Sequence, residues 1–426
     1  MKQQDLEKGL MSCVHCGFCL DACPTYRETG DEADSPRGRI VLMRRVQEGQ
    51  LSMADPQANE PGGVGYHLDR CLGCRACETA CPSGVPYGLL LEHFRDRQES
   101  ETRRPLGENV LRTGLLETLT DPGRMALALK AGKLTGGKIP APVAKFLGLP
   151  ANTKVPIPEN LEAAAQPVPV TVPPQGDRRG KVALLAGCVM RVLYAPVHHS
   201  TVRVLSLNGI EVHTPKQQGC CGALHGHQGK LDTAKQLARE TIATFENGKY
   251  DAIILNSAGC GSFLKDYKHL LRDDPEWADR ARAFSDKVKD VTEYLAEIKP
   301  VAMTNPLRMR ITYHDACHLC HGQKISQQPR ELLKMIPGAT FVETADSDQC
   351  CGSAGVYNYL QPEMARSLLK KKIDNLLAAR ADVIATGNPG CLAWIEQGLQ
   401  SGMVPSGARI PKIVHPIELI DQAYRR

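Results

Sequence analysis

Eight of the 17 cysteines fall into two copies of one spacing, Cys13-x2-Cys16-x2-Cys19-x3-Cys23-Pro24 and Cys71-x2-Cys74-x2-Cys77-x3-Cys81-Pro82. Thiolates at steps of three surround one corner of a cube without stretching the backbone. This run is the ligation signature of [4Fe–4S] clusters, and in two-cluster chains the fourth cysteine of each run serves the other cluster. One cluster is therefore expected on Cys13, Cys16, Cys19 and Cys81, and the other on Cys71, Cys74, Cys77 and Cys23. The proline after each fourth cysteine keeps that residue extended and leads the chain away from the site. Zinc is the rival, but zinc sites favour ligand pairs such as C-x2-C. The chemistry of such centres is one-electron transfer.

A second cysteine pattern is duplicated on a larger scale. Cys188, Cys220, Cys221 and Cys260 recur as Cys317, Cys350, Cys351 and Cys391, at offsets of 129, 130, 130 and 131 residues. A glycine follows the paired cysteines each time, Gly222 and Gly352. Offsets so nearly constant mark a domain-sized repeat. Four cysteines brought to one edge of each repeat offer a further metal or iron–sulfur centre, or they line a pocket without metal; the residues leave both open. Cys320 is left over, because its counterpart in the first repeat is Arg191. It lies among His314, His318 and His321, which suggests zinc; a spare ligand beside a cluster, a redox thiol and an inert thiol all remain open.

The elements that position these residues follow from periodicity. Between Cys23 and Cys71 lie 47 residues, more than a minimal two-cluster ferredoxin needs. Ile40, Met43 and Val46 recur at helical spacing just after Pro36, so a helical ferredoxin domain is expected over residues 1–105. Arg37, Arg39, Arg44 and Arg45 on that helix either offset cluster charge or form a solvated face. In each repeat a β-rich run, Lys181–Gly187 or Arg310–Ala316, ends at a cysteine, and amphipathic patterns follow over Leu231–Phe245 and Pro362–Ala379. Two parallel α/β units are therefore expected, over residues 181–300 and 301–426, with the cysteines on loops at strand ends. The fold class is α+β and multidomain.

Residues 106–180 read as helix and then linker. Nine of the 29 prolines fall within residues 140–174, the composition of an extended connector. The basic, partly amphipathic stretch Arg103–Lys145 suits an exposed helix, a partner or an anionic membrane surface. Gly132–Ile139 imitates a phosphate loop, but Ile139 stands where a Ser or Thr would hold magnesium, and no strand leads in. No Gly-x-Gly-x-x-Gly fingerprint follows a strand, so no flavin or nicotinamide site is expected on this chain. The net charge of +5 and 5% aromatic content argue against nucleic acid. A charged start, no long apolar run and metal-type cysteines suggest a cytoplasmic protein.

Two ferredoxin motifs followed by two Cys-Cys-Gly domains resemble the iron–sulfur subunits of bacterial glycolate oxidase. The resemblance is carried by Cys13–Cys19, Cys23–Tyr26, Ser35–Ile40 and Leu68–Gly84 and spans nearly the whole chain. Similar architecture occurs in heterodisulfide reductase catalytic subunits and in the corresponding subunit of anaerobic glycerol-3-phosphate dehydrogenase. The resemblance implies an electron-transfer subunit. It would take electrons from flavin-containing partner subunits that oxidise glycolate to glyoxylate, and pass them to a quinone or another acceptor near the inner membrane face. The alternatives are a heterodisulfide or quinone reductase working through the Cys-Cys-Gly domains, and the iron–sulfur subunit of a related lactate or glycerol-3-phosphate dehydrogenase. One departure is informative. Heterodisulfide reductases end their repeats in Cys-x2-Cys, but Phe263 and Trp394 stand at the last position here, which puts a five-cysteine catalytic cluster in doubt.

Overall fold

A computed structural model describes residues 2–147 and 166–425. Pro150, Pro156 and Pro158 of the expected connector lie outside the described residues. The N-terminal part is helical, and the first strand among the described residues begins at Thr171. The helix predicted after Pro36 spans Pro36–Gln47; Ser35 caps it by accepting from the Gly38 N–H at 3.0 Å, and Pro36 occupies the first turn, where its missing donor costs nothing. Its inner face, Ile40, Met43 and Val46, packs with Leu90, Leu91 and Phe94 of the helix Tyr87–Glu101.

The duplication is visible in sheet topology. The first sheet has the order β1(Thr171–Val172), β3(Ile210–His213), β2(Gly180–Leu184), β4(Ala252–Leu255), β5(Val288–Asp290), with only β1 antiparallel. The second has the order β7(Thr340–Phe341), β6(Arg310–Tyr313), β8(Val383–Ala385), β9(Lys412–Val414), all parallel. Aligned through the repeat, both units share one strand order, as sequence at 129–131 offsets requires. The helices Leu231–Phe245 and Pro362–Ala378 bury faces at steps of four, Ala234, Ala238 and Ile242 in one and Ala365, Leu369 and Ile373 in the other. One buried core joins the two units, with Val182, Leu184 and Ile254 of the first sheet packed with Ile311, Tyr313 and Ala385 of the second.

The ferredoxin part is docked on both repeats. Arg95 donates to the carbonyls of Leu68, Cys71 and His227 at 2.9, 2.6 and 2.8 Å, and Arg75 binds Asp266 at 2.6 Å. The Tyr357 hydroxyl donates to the Arg70 carbonyl at 2.8 Å. Gly229 closes this seam: its φ is +79°, and a Cβ there would lie 2.4 Å from the Arg95 backbone. Gly229→Ala meets both a left-handed backbone and a backbone clash, and is expected to cost about 1–3 kcal/mol. Chemical denaturation followed by the visible absorbance of the ferredoxin part would register this as earlier release from the repeats.

Helices Leu106–Thr120 and Pro122–Leu134 follow, joined through Asp121, whose carboxylate caps the second by accepting from the Arg124 N–H at 2.7 Å. Gly132–Ile139 forms the end of that helix and the turns after it, not a phosphate loop.

Candidate metal centres

Both ferredoxin runs curl by the same backbone device. The residue two after the first cysteine and the residue after the second are left-handed in each: His15 (φ 56°) and Gly17 (88°) in one, Gly73 (64°) and Arg75 (63°) in the other. These turns direct successive thiols to one side. Cys13, Cys16, Cys19 and Cys81 line one small cavity, which Cys77 also touches. Cys23 is absent from it. Its sulfur lies 3.3 Å from the Thr25 hydroxyl and 3.6 Å from the Asp34 carbonyl. Burial pushes Cys19 up to about 11 and Cys74 and Cys77 well above the usual thiol value. Buried thiols resist deprotonation until a cationic centre takes the proton's place, so these donor sets fit a thiolate-ligated cluster.

The four arginines of the helix Pro36–Gln47 divide. Arg39 is fully buried, and Cys71 and Cys23 are among the groups that hold its guanidinium charged against the cost of burial. Arg37 donates to the His15 carbonyl at 3.1 Å, and Arg44 to the Leu10 and Cys13 carbonyls at 2.6 and 3.0 Å. Arg45 is exposed and belongs to the solvated face.

In each repeat the four cysteines gather at the C-terminal ends of parallel strands. Cys188 and Cys317 precede short helical turns, while Cys260 and Cys391 sit in the first turns of Ala258–Lys265 and Pro389–Leu399. Cys188 Sγ lies 3.7 Å from Cys220 Sγ. Cys221 and Cys260 complete the first quartet around the cavity, and Cys317, Cys350, Cys351 and Cys391 form the second. The Cys188 thiol and the Gly222 N–H donate to Cys220 and pull its pKa down, while Cys188 and Cys221 are pushed up. In the second quartet Cys317, Cys350 and Cys351 are all pushed up. The glycine of each Cys-Cys-Gly is left-handed, 81° at Gly222 and 88° at Gly352. A Cβ there would approach the Ala234 carbonyl to 3.2 Å and the Ala365 carbonyl to 2.6 Å. That is why glycine follows the cysteine pair.

Sequence reasoning missed a difference between the quartets. One ring nitrogen of His314 and the Cys351 and Cys391 sulfurs lie within 4.8 Å of one another, all buried. The Nδ1 of His314 faces the Ser347 carbonyl at 3.1 Å, and its Nε2 has no hydrogen-bond partner among the described residues. The signal was present: aligning the repeats sets His314 against Leu185. Cys320 lies apart from this set; its sulfur donates to the Cys317 carbonyl at 3.7 Å, and burial raises its pKa.

Both quartets line one cavity of about 680 Å³, covered by the helices Leu106–Thr120 and Pro122–Leu134. The second ferredoxin run meets it directly. Cys74 packs in one buried cluster with Cys350 and Cys351, and Cys317 packs against that cluster. His318 faces the Gly73 carbonyl with Nε2 at 2.9 Å.

The comparisons agree with this layout. Residues 9–85 match the 4Fe-4S dicluster domain family, and residues 182–265 and 311–396 each match the cysteine-rich domain family. The chain is 41% identical to the probable glycolate oxidase iron–sulfur subunit of Bacillus subtilis, over 94% of this chain and 91% of that one. It is 35% identical to the glycolate oxidase iron–sulfur subunit of Escherichia coli, over 98% and 95%. It is 28% identical to a subunit of the fumarate reductase (CoM/CoB) of Methanothermobacter marburgensis, over 99% of this chain and 73% of that one. A crystal structure of a hypothetical protein from Helicobacter pylori shares the fold, with a TM-score of 0.57 at 9% identity, covering 100% of this chain and 73% of that one. The chain belongs to the family of glycolate oxidase iron–sulfur subunits, and it is an iron–sulfur electron-transfer subunit of an oxidoreductase.

Proposed function

From its place in that family, we propose that this chain takes electrons from a flavin-bearing partner that oxidises glycolate to glyoxylate, and carries them inward to the cavity between its two Cys-Cys-Gly quartets. The observation that carries this reading is the line of cysteines from surface to interior. Cys16 is exposed, with Met11, Val14 and Phe18 exposed around it, an apolar rim suited to a docked donor. Cys13, Cys16, Cys19 and Cys81 hold the outer cluster; Cys71, Cys74, Cys77 and Cys23 hold the inner one. The clusters supply one-electron carriage when bound. Cys74 and Cys317 then link the inner site to the second quartet. The quartets Cys188, Cys220, Cys221, Cys260 and Cys317, Cys350, Cys351, Cys391 hold further metal centres in this reading, since buried, closely grouped thiols are costly until a cation replaces their protons.

The partners follow from chemistry. Oxidising a 2-hydroxy acid removes two electrons together, which calls for a flavin or nicotinamide, while a cluster accepts one at a time. No dinucleotide fingerprint stands on this chain, so the flavin resides on a partner. No helix among the described residues is long and apolar enough to cross a membrane. The helices 106–146 instead expose Leu106, Leu127, Leu134 and Phe146 beside Lys130, Lys133 and Lys145, a face suited to lying on an anionic bilayer at its cytoplasmic side, where a quinone is the acceptor.

The isolated, cluster-loaded chain is expected to show no glycolate oxidation with a dye acceptor, and activity appears once the flavoprotein subunits are added. Turnover by the isolated chain would sink the proposal.

A further inference from the structure

We propose that Tyr87 is a positioning residue for electron transfer: its hydroxyl donates to the Cys71 sulfur and raises the reduction potential of the inner cluster relative to the outer one, which favours the inward step of the electron. This rests on the reading above, in which Cys71, Cys74 and Cys77 hold the inner cluster and Cys13, Cys16 and Cys19 the outer one.

The tyrosine stands between the two sites. It lines the small cavity of Cys13, Cys16, Cys19 and Cys81, while its hydroxyl lies 3.6 Å from the Cys71 sulfur of the other run. The residue is 3% exposed and packs in one buried cluster with Cys71, Cys77, Val85 and Leu90. A hydroxyl so placed needs a partner inside the protein, and the Cys71 sulfur is the one it has among the described residues. With the sulfur held as thiolate the bond is charge-assisted, roughly twice as strong as one between neutral groups.

One face of the helix Tyr87–Glu101 builds this contact. Tyr87, Leu91 and Arg95 recur at steps of four and so share a face. Tyr87 donates to the Cys71 sulfur, and Arg95 donates to the carbonyl of the same residue at 2.6 Å. Between them Leu91 lies against Gly73, where a Cβ would stand 3.8 Å from a leucine methyl. The Gly73 N–H adds a second donor to the Cys71 sulfur, at 3.4 Å. The hydroxyl of Thr25 is differently placed: it lies 3.3 Å from the Cys23 sulfur, but it gives its one proton to the Asp34 carbonyl at 2.8 Å.

The outer run lacks the counterpart. Arg44 of the helix Pro36–Gln47 donates to the Cys13 carbonyl at 3.0 Å, as Arg95 does to that of Cys71. Among the described residues, however, no hydroxyl donates to the sulfur of Cys13, Cys16, Cys19 or Cys81. Reduction adds one negative charge, part of which falls on the ligand sulfurs. A donor at one of those sulfurs stabilises the reduced form more than the oxidised one, so the potential rises. The electron leaves the outer site, which is oxidised, and enters the inner site, which is reduced. Tyr87 keeps its proton throughout, and no bond is made or broken.

Tyr87→Phe removes the hydroxyl and keeps the ring, so both clusters should still load, with about eight irons. The full-length, cluster-loaded chain is titrated with reductant at controlled potential and followed by electron paramagnetic resonance. In Tyr87→Phe the signal that Cys74→Ser abolishes should become about tenfold harder to reduce, the loss of one buried hydrogen bond, which for a one-electron couple is about 59 mV. The signal that Cys16→Ser abolishes should keep its wild-type midpoint. With the flavoprotein partners and glycolate, the resting electron should move from the inner signal to the outer by the same factor. An inner midpoint that stays or rises, or one that falls together with the outer, overturns the role of Tyr87 and leaves the electron-transfer reading standing. Loss of about four irons does the same, since it would make Tyr87 a residue of cluster assembly. Cys71 shares a cluster with Cys74 whether or not the fourth cysteines cross over, so the outcome is independent of that pairing. A wild-type chain that takes up no iron and sulfide overturns the reading beneath the proposal.

Discussion

Cys81→Ser is expected to abolish the same spectroscopic signal as Cys16→Ser, and to spare the signal that Cys74→Ser abolishes. Cys81 is four residues from Cys77 but lines the small cavity with Cys13, Cys16 and Cys19, from which more than sixty positions separate it. Cys23→Ser should give the mirror result, because Cys23 does not line the cavity of Cys13, Cys16, Cys19 and Cys81. Each variant should lose about four irons of the eight that two [4Fe–4S] clusters carry. Electron flow from the partner to the physiological acceptor should fall to background in both, since a serial path has no bypass. Iron and sulfide analysis beside electron paramagnetic resonance distinguishes the outcomes. If Cys81→Ser and Cys74→Ser remove one common signal, the crossed arrangement is wrong.

Arg39→Leu should be the most destabilising single change in the ferredoxin part that touches no cysteine. Arg39 is fully buried and donates to the His67 carbonyl at 2.6 Å, to the Thr25 hydroxyl at 3.1 Å, and to the backbone and carboxylate of Asp34. Asp34 is 2% exposed and also meets His67 and Arg70, each at 2.9 Å. Removing the guanidinium leaves a buried carboxylate short of a partner, a loss of about 3–5 kcal/mol. The same network supports Cys23 through Thr25, so the inner cluster should become more labile as well. Its reduction potential should fall, because a buried positive charge no longer favours the added electron. Arg39→Lys keeps the charge without the planar fork and should lie between the two.

The pH dependence has a definite sign. Burial alone would raise the Asp34 carboxyl, but the His67 hydrogen bond and the charges of Arg39 and Arg70 outweigh it and hold it below the usual value. A folded-state value depressed in this way contributes stability that is complete above the unfolded value of about 3.9 and is lost as pH falls through the folded one. Acid unfolding below about pH 4 should therefore be steeper in the wild type than in Arg39→Leu. Denaturant melts at a series of pH values, read against the visible absorbance, test this.

What the chain's own text determined is local. Steps of three between cysteines are fulfilled within one loop, and the left-handed positions at His15, Gly17, Gly73 and Arg75 lie inside the motifs they shape. The near-constant offsets of the repeat carried over to strand order because each unit folds from its own strand–helix alternation. Helical period placed Leu231–Phe245 and Pro36–Gln47 for the same reason. Tertiary structure alone decided the rest. Periodicity gave Arg39 and Arg45 equal standing, and only packing against Asp34, His67 and the buried thiols made one a structural cation and left the other in solvent. The helices 106–134 read as amphipathic, but nothing in their pattern says that their inner face roofs the space between two quartets more than a hundred residues apart. His314 stands near Cys351 and Cys391, and Glu92 near His227, through contacts between distant segments. Such contacts leave no local period in a sequence, because they are set by how whole elements pack.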